Sequence, residues 1–383
     1  MLPPDTLEHR VRQRLGALAD DGLLRTLRSP FGIDLSSNDY LGLASHPAVV
    51  ARMAAAVDAG GAGSTGSRLL RGERQAFSAL EHRFAEFKGA EAALYFSSGY
   101  LANLAVLTTF AETEDVIFSD ALNHASLIDG VRLSAARRVV VPHADPDALA
   151  ACLRETPCRG QRFVVTESLF SMDGDEAPLR AIAEVCRTYG ATLIVDEAHA
   201  VGVRGTRGSG LVEEQGIERD TVLTVNTGGK ALGVSGAFVA GPGWAISYLV
   251  QRARPFIFST APPPAVAAAL DEALSVVSRE PERRRHLADK SRRMRRRLLE
   301  AGAIVPEGTS QIVPVLIGEN TRAVTVADEL QVRGYDVRAI RPPTVAEGTA
   351  RLRVSVNVGQ TDETIDAFAV AVGEALRGAG VRD

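Results

Sequence analysis

The sequence is poor in cysteine and in aromatic residues: three cysteines, one tryptophan and 5% aromatic side chains among 383 residues. Cys152, Cys158 and Cys186 are odd in number and show no CxxC spacing. They read as reduced thiols of a cytoplasmic protein, which excludes a disulfide scaffold, and no metal site is expected. A long apolar run is also missing. The stretch around Leu193–Val195 is interrupted by charge, so no membrane span is expected. Residues 1–5 offer no basic region followed by an apolar one, so no signal peptide is expected either. Neither sign of charge is in large excess: the formal net charge is -4, which argues against general nucleic-acid affinity. The clustered arginines Arg283–Arg285, Arg292–Arg293 and Arg295–Arg297 fall in a helical stretch and read as a solvated face.

What is present is an alternation of elements. Residues 5–29 read as a charged helix and Ile33–Leu35 as a short strand. A helix over Glu73–Phe87 follows from Phe77, Leu80, Phe84 and Phe87 at helical spacing. Seven apolar runs then read as strands: Ala92–Phe96, Val116–Phe118, Val139–Val141, Phe163–Val165, Thr192–Val195, Val222–Val225 and Ala237–Ala240. Runs that are apolar throughout suit strands covered on both faces, hence a mostly parallel sheet in an α/β domain. No helix fits between the last two runs, and strand direction there is not readable. A long helical region is expected from the Pro262–Pro264 breaker to about residue 302. Beyond it, strands at Ile312–Ile317, Tyr335–Ile340 and Leu352–Val356, with helices at Thr321–Val332 and Thr361–Leu376, suggest a smaller α+β domain. The division expected is an N-terminal helix and arm over 1–46, a large α/β domain over 47–269, and a small domain over 270–383.

Two positions carry most of the chemistry. An apolar strand ends in Asp196-Glu197-Ala198-His199, and Lys230 stands in the glycine-rich turn Thr227-Gly228-Gly229-Lys230. A buried carboxylate and a lysine suit pyridoxal phosphate. The amine condenses with the aldehyde, and the carboxylate pairs with the protonated pyridine nitrogen. His199 suits the phenolic oxygen of such a ring. Asp196–His199 also spells a helicase ATPase motif. Its companion GxxxxGK[ST] phosphate loop is missing, because residue 224 is Thr and residue 231 is Ala. Ser97-Ser98-Gly99-Tyr100 opens a helix after a strand, where backbone N–H groups favour phosphate. Asn123-His124-Ala125-Ser126 follows another strand, and its histidine can stack on a pyridine ring and donate a proton. Each feature alone also has an ordinary structural use as a cap or turn; their company favours function.

Together with Ser37–Leu43, Gly63–Arg68, Phe170–Gly174, Lys230–Gly233 and Phe258–Thr260, these motifs span nearly the whole chain. On them it resembles the α-oxoamine synthases, a branch of the fold-type-I pyridoxal-phosphate enzymes. The resemblance implies a central sheet with flanking helices, a smaller C-terminal domain, and a homodimer with shared active sites. It implies Lys230 as cofactor-binding lysine and general base, with Asp196 at the pyridinium nitrogen. His199 and Ser171 fall at the ring oxygen, and His124 on the ring and the incoming thioester carbonyl. Gly99, Tyr100 and Thr227 fall at the phosphate. Ser259 and Thr260 reach the phosphate of the neighbouring subunit. Arg353 is placed on the amino-acid carboxylate, where a bidentate donor suits. Thr344, Asn38, Arg28 and Arg341 line the acyl side, with Arg25 an alternative to Arg28.

The segment Arg341–Val345 followed by Gly348–Arg353 is most similar to the branch that condenses L-alanine with a pimeloyl thioester and releases CO2 in biotin synthesis. That branch often has proline where Ala346 stands. A sister branch taking glycine and acetyl-CoA is the runner-up. An aminotransferase or carbon–carbon lyase on the same fold would make its ketone without releasing CoA. A binding protein that has lost its cofactor would stay colourless.

Overall fold

The structure, a computed structural model, describes residues 6–380. In chain order its strands are β1 Ile33–Asp34, β2 Ala92–Phe96, β3 Val116–Asp120, β4 Arg137–Val141, β5 Arg162–Glu167 and β6 Ala191–Asp196. They continue with β7 Thr221–Thr227, β8 Ala237–Gly241, β9 Ile312–Gly318, β10 Tyr335–Asp336, β11 Ala339–Ile340 and β12 Ala350–Ser355. The chain forms two compact units. One holds Asn38–Ser171 and Asp175–His286; the other gathers the described residues up to Ser37, Met172–Gly174, and those from Leu287 on.

In the first unit all seven apolar runs become strands of one sheet, in the order β2-β8-β7-β6-β5-β3-β4. The strands from β4 through β7 pair in parallel. Only β8 runs antiparallel, to β2 and to β7. That settles the direction the sequence left open: the link Gly228–Gly236 is too short for a crossover, which parallel pairing needs. The helices Gly99–Phe110, Ala125–Leu133 and Gly243–Arg252 pack Val106, Leu127 and Leu249 against Phe96, Ile117, Val165, Ile194 and Val225. Each such buried aliphatic side chain contributes about 1.5–3 kcal/mol.

Three helix boundaries differ from expectation. The first helix covers Leu7–Asp20 rather than reaching residue 29. Gly22, at φ +65°, turns the chain just past its end. The helix expected from Glu73 begins at Gln75, because Glu73 and Arg74 are extended, at ψ 140° and 145°. The long region to residue 302 is two helices, Pro264–Arg279 and Glu282–Glu300. Pro281 lies between them and cannot supply the N–H a continuous helix would need.

The second unit has an antiparallel sheet in the order β11-β12-β9 and a short parallel pair of β1 with β10. The helices Asn320–Val332 and Asp362–Gly378 supply Leu330, Phe368 and Val372 to its core. Several arginines of Glu282–Glu300 that fall in this unit are held by carboxylate or carbonyl partners. Arg293 and Arg297 both grip Asp366, and Arg295 donates to the carbonyls of Pro306 and Ile312.

Candidate active site

In open α/β sheets a ligand crevice forms at the carboxyl ends of the strands, where the strand order reverses. Here β3 leads outward to β4, whereas β5, β6 and β7 proceed the other way, so the reversal lies between β3 and β5. His124 follows the end of β3, Glu167 ends β5, Asp196 ends β6, and Lys230 follows β7. His124, Asp196 and Lys230, all singled out in the sequence, therefore stand at the carboxyl end of one sheet, and Glu167 stands with them.

Lys230 Nζ lies 2.8 Å from His199 Nε2. His199 Nδ1 lies 2.7 Å from the Tyr40 hydroxyl, which is 2.9 Å from Asn38 Oδ1. Assigned from these partners, an amine N–H of Lys230 donates to Nε2, Nδ1–H donates to Tyr40, and Tyr40 donates to Asn38. Gly233, at φ +68°, closes the turn after Lys230; a Cβ there would stand 2.3 Å from the Ala44 nitrogen. Only glycine lets the lysine turn sit against Leu43–Ala44.

Asp196 is buried. Its Oδ1 accepts the Ala198 N–H at 2.8 Å and its Oδ2 the Asn103 amide at 2.7 Å. The Asn103 amide also donates to Ser126 Oγ at 2.9 Å, and Ser126 Oγ is 2.7 Å from His124 Nδ1. As a residue His124 is exposed. Neighbouring atoms nonetheless strip solvent from it and push its pKa below the ordinary histidine value; Asp196 opposes this and Lys230 adds to it.

Glu167 stands beside Asp196 in the β5–β6 register. It is fully buried and its Oε1 has no hydrogen-bond partner. Burial first, then the Asp196 charge, push its carboxyl well above the usual carboxylate range. The backbone N–H groups of His124 and Ser171 oppose this rise without cancelling it.

At the far end of the site, Gly99 opens its helix with the Ser98 hydroxyl accepting from Leu101 N–H. A Cβ on Gly99 would fall 2.7 Å from Thr227 Cγ2. Glycine thus brings the helix start against Thr227, whose own hydroxyl donates to the Ala198 carbonyl at 3.1 Å. The Tyr100 hydroxyl is committed to Asp129, so only its backbone N–H is directed by the helix start. Ser171 is buried. Ser259 is half-buried and Thr260 exposed, with Thr260 bridged to Ser67.

The remaining residues belong to the second unit. Arg353 is buried on β12 and donates to Ser355 Oγ at 2.9 Å. Arg28 and Arg341 line one cavity of about 290 Å³ together with Arg25 and Arg338. Arg28 is held by Asp328 at 2.7 Å and Gln331 at 2.9 Å, while Arg341 donates to the Gly22 carbonyl. Burial, then the charges of Arg25 and Arg28, lower the Arg341 pKa. Thr344 is exposed, its N–H bonded to the Arg341 carbonyl.

Four residues of this network escaped the sequence reading: Tyr40, Asn103, Ser126 and Glu167. Asn103 had a signal, being the one amide in the otherwise apolar run Leu101–Leu107. Glu167 had another, since it closes an apolar strand just as Asp196 does. No group of three or more His, Cys, Asp or Glu side chains suited to a metal occurs among the described residues. No helix among them is long and apolar enough to cross a membrane.

A mostly parallel sheet with one lysine and one buried aspartate at adjoining strand ends is the architecture of the class I and II aminotransferases, and that family matches residues 31–372 of this chain. Among curated proteins the chain is 49% identical to 8-amino-7-oxononanoate synthase of Anaeromyxobacter sp. (strain K), over 90% of this chain and 86% of that one. It is 46% identical to 8-amino-7-oxononanoate synthase of Alkalilimnicola ehrlichii, over 97% and 98%. Serine palmitoyltransferase from S. paucimobilis, solved with PLP and myriocin bound, superposes with a TM-score of 0.91 at 30% identity, covering 97% and 98%. Within the aminotransferase class, the chain belongs to the 8-amino-7-oxononanoate synthase family.

Proposed function

We propose that this chain condenses L-alanine with a pimeloyl thioester, with loss of CO2, to give 8-amino-7-oxononanoate for biotin synthesis, using pyridoxal phosphate. The observation that carries the reading is the convergence of Lys230 with His199, one strand from buried Asp196. Identities of 46–49% to 8-amino-7-oxononanoate synthases support the choice among condensing reactions.

The residues fit the cofactor. Asp196 is buried, with a hydrogen-bond donor on each carboxyl oxygen, which suits a pyridinium partner. The Gly99 helix start, packed directly against the Thr227 side chain, offers backbone N–H groups to a phosphate. Bound there, pyridoxal phosphate supplies an aldehyde for the amine and a protonated ring that accepts the electron pair left at Cα.

Lys230 holds the cofactor, then takes the Cα proton of alanine when its amine is free. His199 and Ser171 hold the ring oxygen. Tyr40 and Asn38 hold His199, and Asn38 also borders the acyl side. His124 covers the ring and donates to the thioester carbonyl. Gly99, Tyr100 and Thr227 bind phosphate through backbone N–H groups and the Thr227 side chain. Arg353 takes the alanine carboxylate. Arg28, Arg341 and Thr344 take the acyl chain, whose distal carboxylate suits a cavity of four arginines. The protein works in the cytoplasm as a homodimer in which Ser259 and Thr260 serve the phosphate of the neighbouring subunit. Cys152, Cys158 and Cys186, all unpaired, accord with a reducing compartment. The division at 1–46, 47–269 and 270–383 is retained as a proposal for the functional domains.

Borohydride reduction of the cofactor-loaded protein tests the site. A pyridoxyl group should map to Lys230 and be lost in Lys230→Ala. Labelling of another lysine would overturn the assignment.

A further inference from the structure

We propose that Asn103 and Ser126 are positioning residues that hold His124 as a neutral imidazole protonated on Nε2, so that it offers a single N–H donor to the thioester carbonyl. The condensing activity proposed above supplies only the identity of that acceptor.

The relay runs from Asp196 outward. A carboxylate accepts and does not donate, so the group it meets at 2.7 Å is the Asn103 NH2. The second hydrogen of that NH2 points to Ser126 Oγ at 2.9 Å. With its oxygen accepting, Ser126 turns its own hydrogen to the next acceptor, His124 Nδ1 at 2.7 Å. The backbone N–H of Ser126 also donates to Nδ1, at 3.2 Å. Two donors aimed at Nδ1 leave no place for a proton on it, so the ring proton resides on Nε2.

Burial keeps the relay rigid. Asn103 and Ser126 are each 1% exposed, which shields their hydrogens from bulk solvent. The charged or titratable groups around His124 are Asp196, Lys230 and Glu167. Burial and Lys230 oppose a charged imidazole there, in accord with the neutral form. A stacked neutral ring with Nε2–H can polarise a carbonyl without itself carrying charge over the cofactor.

The test is long-range proton–nitrogen NMR on full-length, cofactor-loaded protein labelled with 15N-histidine, with His124→Gln assigning the resonance. The expected result is an Nε2–H tautomer with Nδ1 as acceptor. In Ser126→Ala the tautomers should mix and the His124 pKa should rise. In that variant kcat/KM for the acyl thioester should fall about tenfold, the weight of one hydrogen bond, with KM for L-alanine unchanged. Ser126→Thr, which keeps the hydroxyl, should restore the tautomer and the rate. A wild-type His124 protonated on Nδ1 overturns the proposal, and that spectrum decides even if Ser126→Ala fails to fold. An unchanged tautomer in folded Ser126→Ala also overturns it. An Nε2–H spectrum from protein that releases no thiol with any acyl donor upholds the relay and overturns the condensing activity instead.

Discussion

Lys88 Nζ and Glu197 Oε2 are 2.5 Å apart, with side chains 3% and 0% exposed. Lys88 also donates to the Ser209 carbonyl, and Glu197 accepts the Val212 N–H at 3.0 Å. Glu197 directly follows Asp196, so this buried pair anchors the chain as it leaves β6 and enters the site. Removing one partner leaves a buried charge uncompensated. Lys88→Met should therefore cost about 3–5 kcal/mol in urea unfolding. Adding Glu197→Gln should recover part of that loss. A loss under about 1 kcal/mol in the single variant would contradict the anchor.

Gly99→Ala should weaken the cofactor more than the fold. The added Cβ meets Thr227 Cγ2 at 2.7 Å, so the helix start and Thr227 must separate. Separation shifts the helix start proposed for the phosphate. Cofactor Kd, read by absorbance titration, should rise about tenfold or more, by the loss of one charge-assisted hydrogen bond. An unchanged Kd would move the phosphate elsewhere.

His143 bridges two carboxylates, with Nδ1 2.9 Å from Asp120 and Nε2 2.8 Å from Asp175. Burial opposes its charge, but the two acids prevail and hold its pKa up to about 10. A raised folded-state pKa stabilises below the unfolded value of about 6.5 and loses that contribution as pH climbs through about 10. The melting-temperature gap between wild type and His143→Gln should be full below about pH 6.5 and shrink steadily toward pH 10. A gap that is constant with pH would show that the clamp is not ionic.

Arg341→Ala should act on the acyl partner alone. Arg341 lines a cavity with Arg25, Arg28 and Arg338, where Asp328 is the one acidic side chain. KM for the pimeloyl thioester should rise about tenfold or more, and KM for L-alanine should hold. Equal rises in both would place the arginine outside acyl recognition.

Much of the first unit was legible because its strands are continuous apolar runs that leave no alternative face to choose. Asp196 and Lys230 were legible because a polar residue closing such a run stands out. Ser126 carries no such mark, and Asn103 shows only as a lone amide in an apolar run: their role depends on β3, β6 and the Gly99–Phe110 helix meeting in space. The strands at Ile33 and Tyr335 were legible, but not their pairing, which joins positions far apart in the chain. The first helix stopped short because Asp21-Gly22 outweighed the leucines beyond it.

The most direct test of the account is thiol release by cofactor-loaded protein given pimeloyl-CoA and either L-alanine or glycine. Release should require L-alanine, with CO2 and an amino ketone as the other products. Release with glycine and a short acyl-CoA, and none with L-alanine and pimeloyl-CoA, would contradict it.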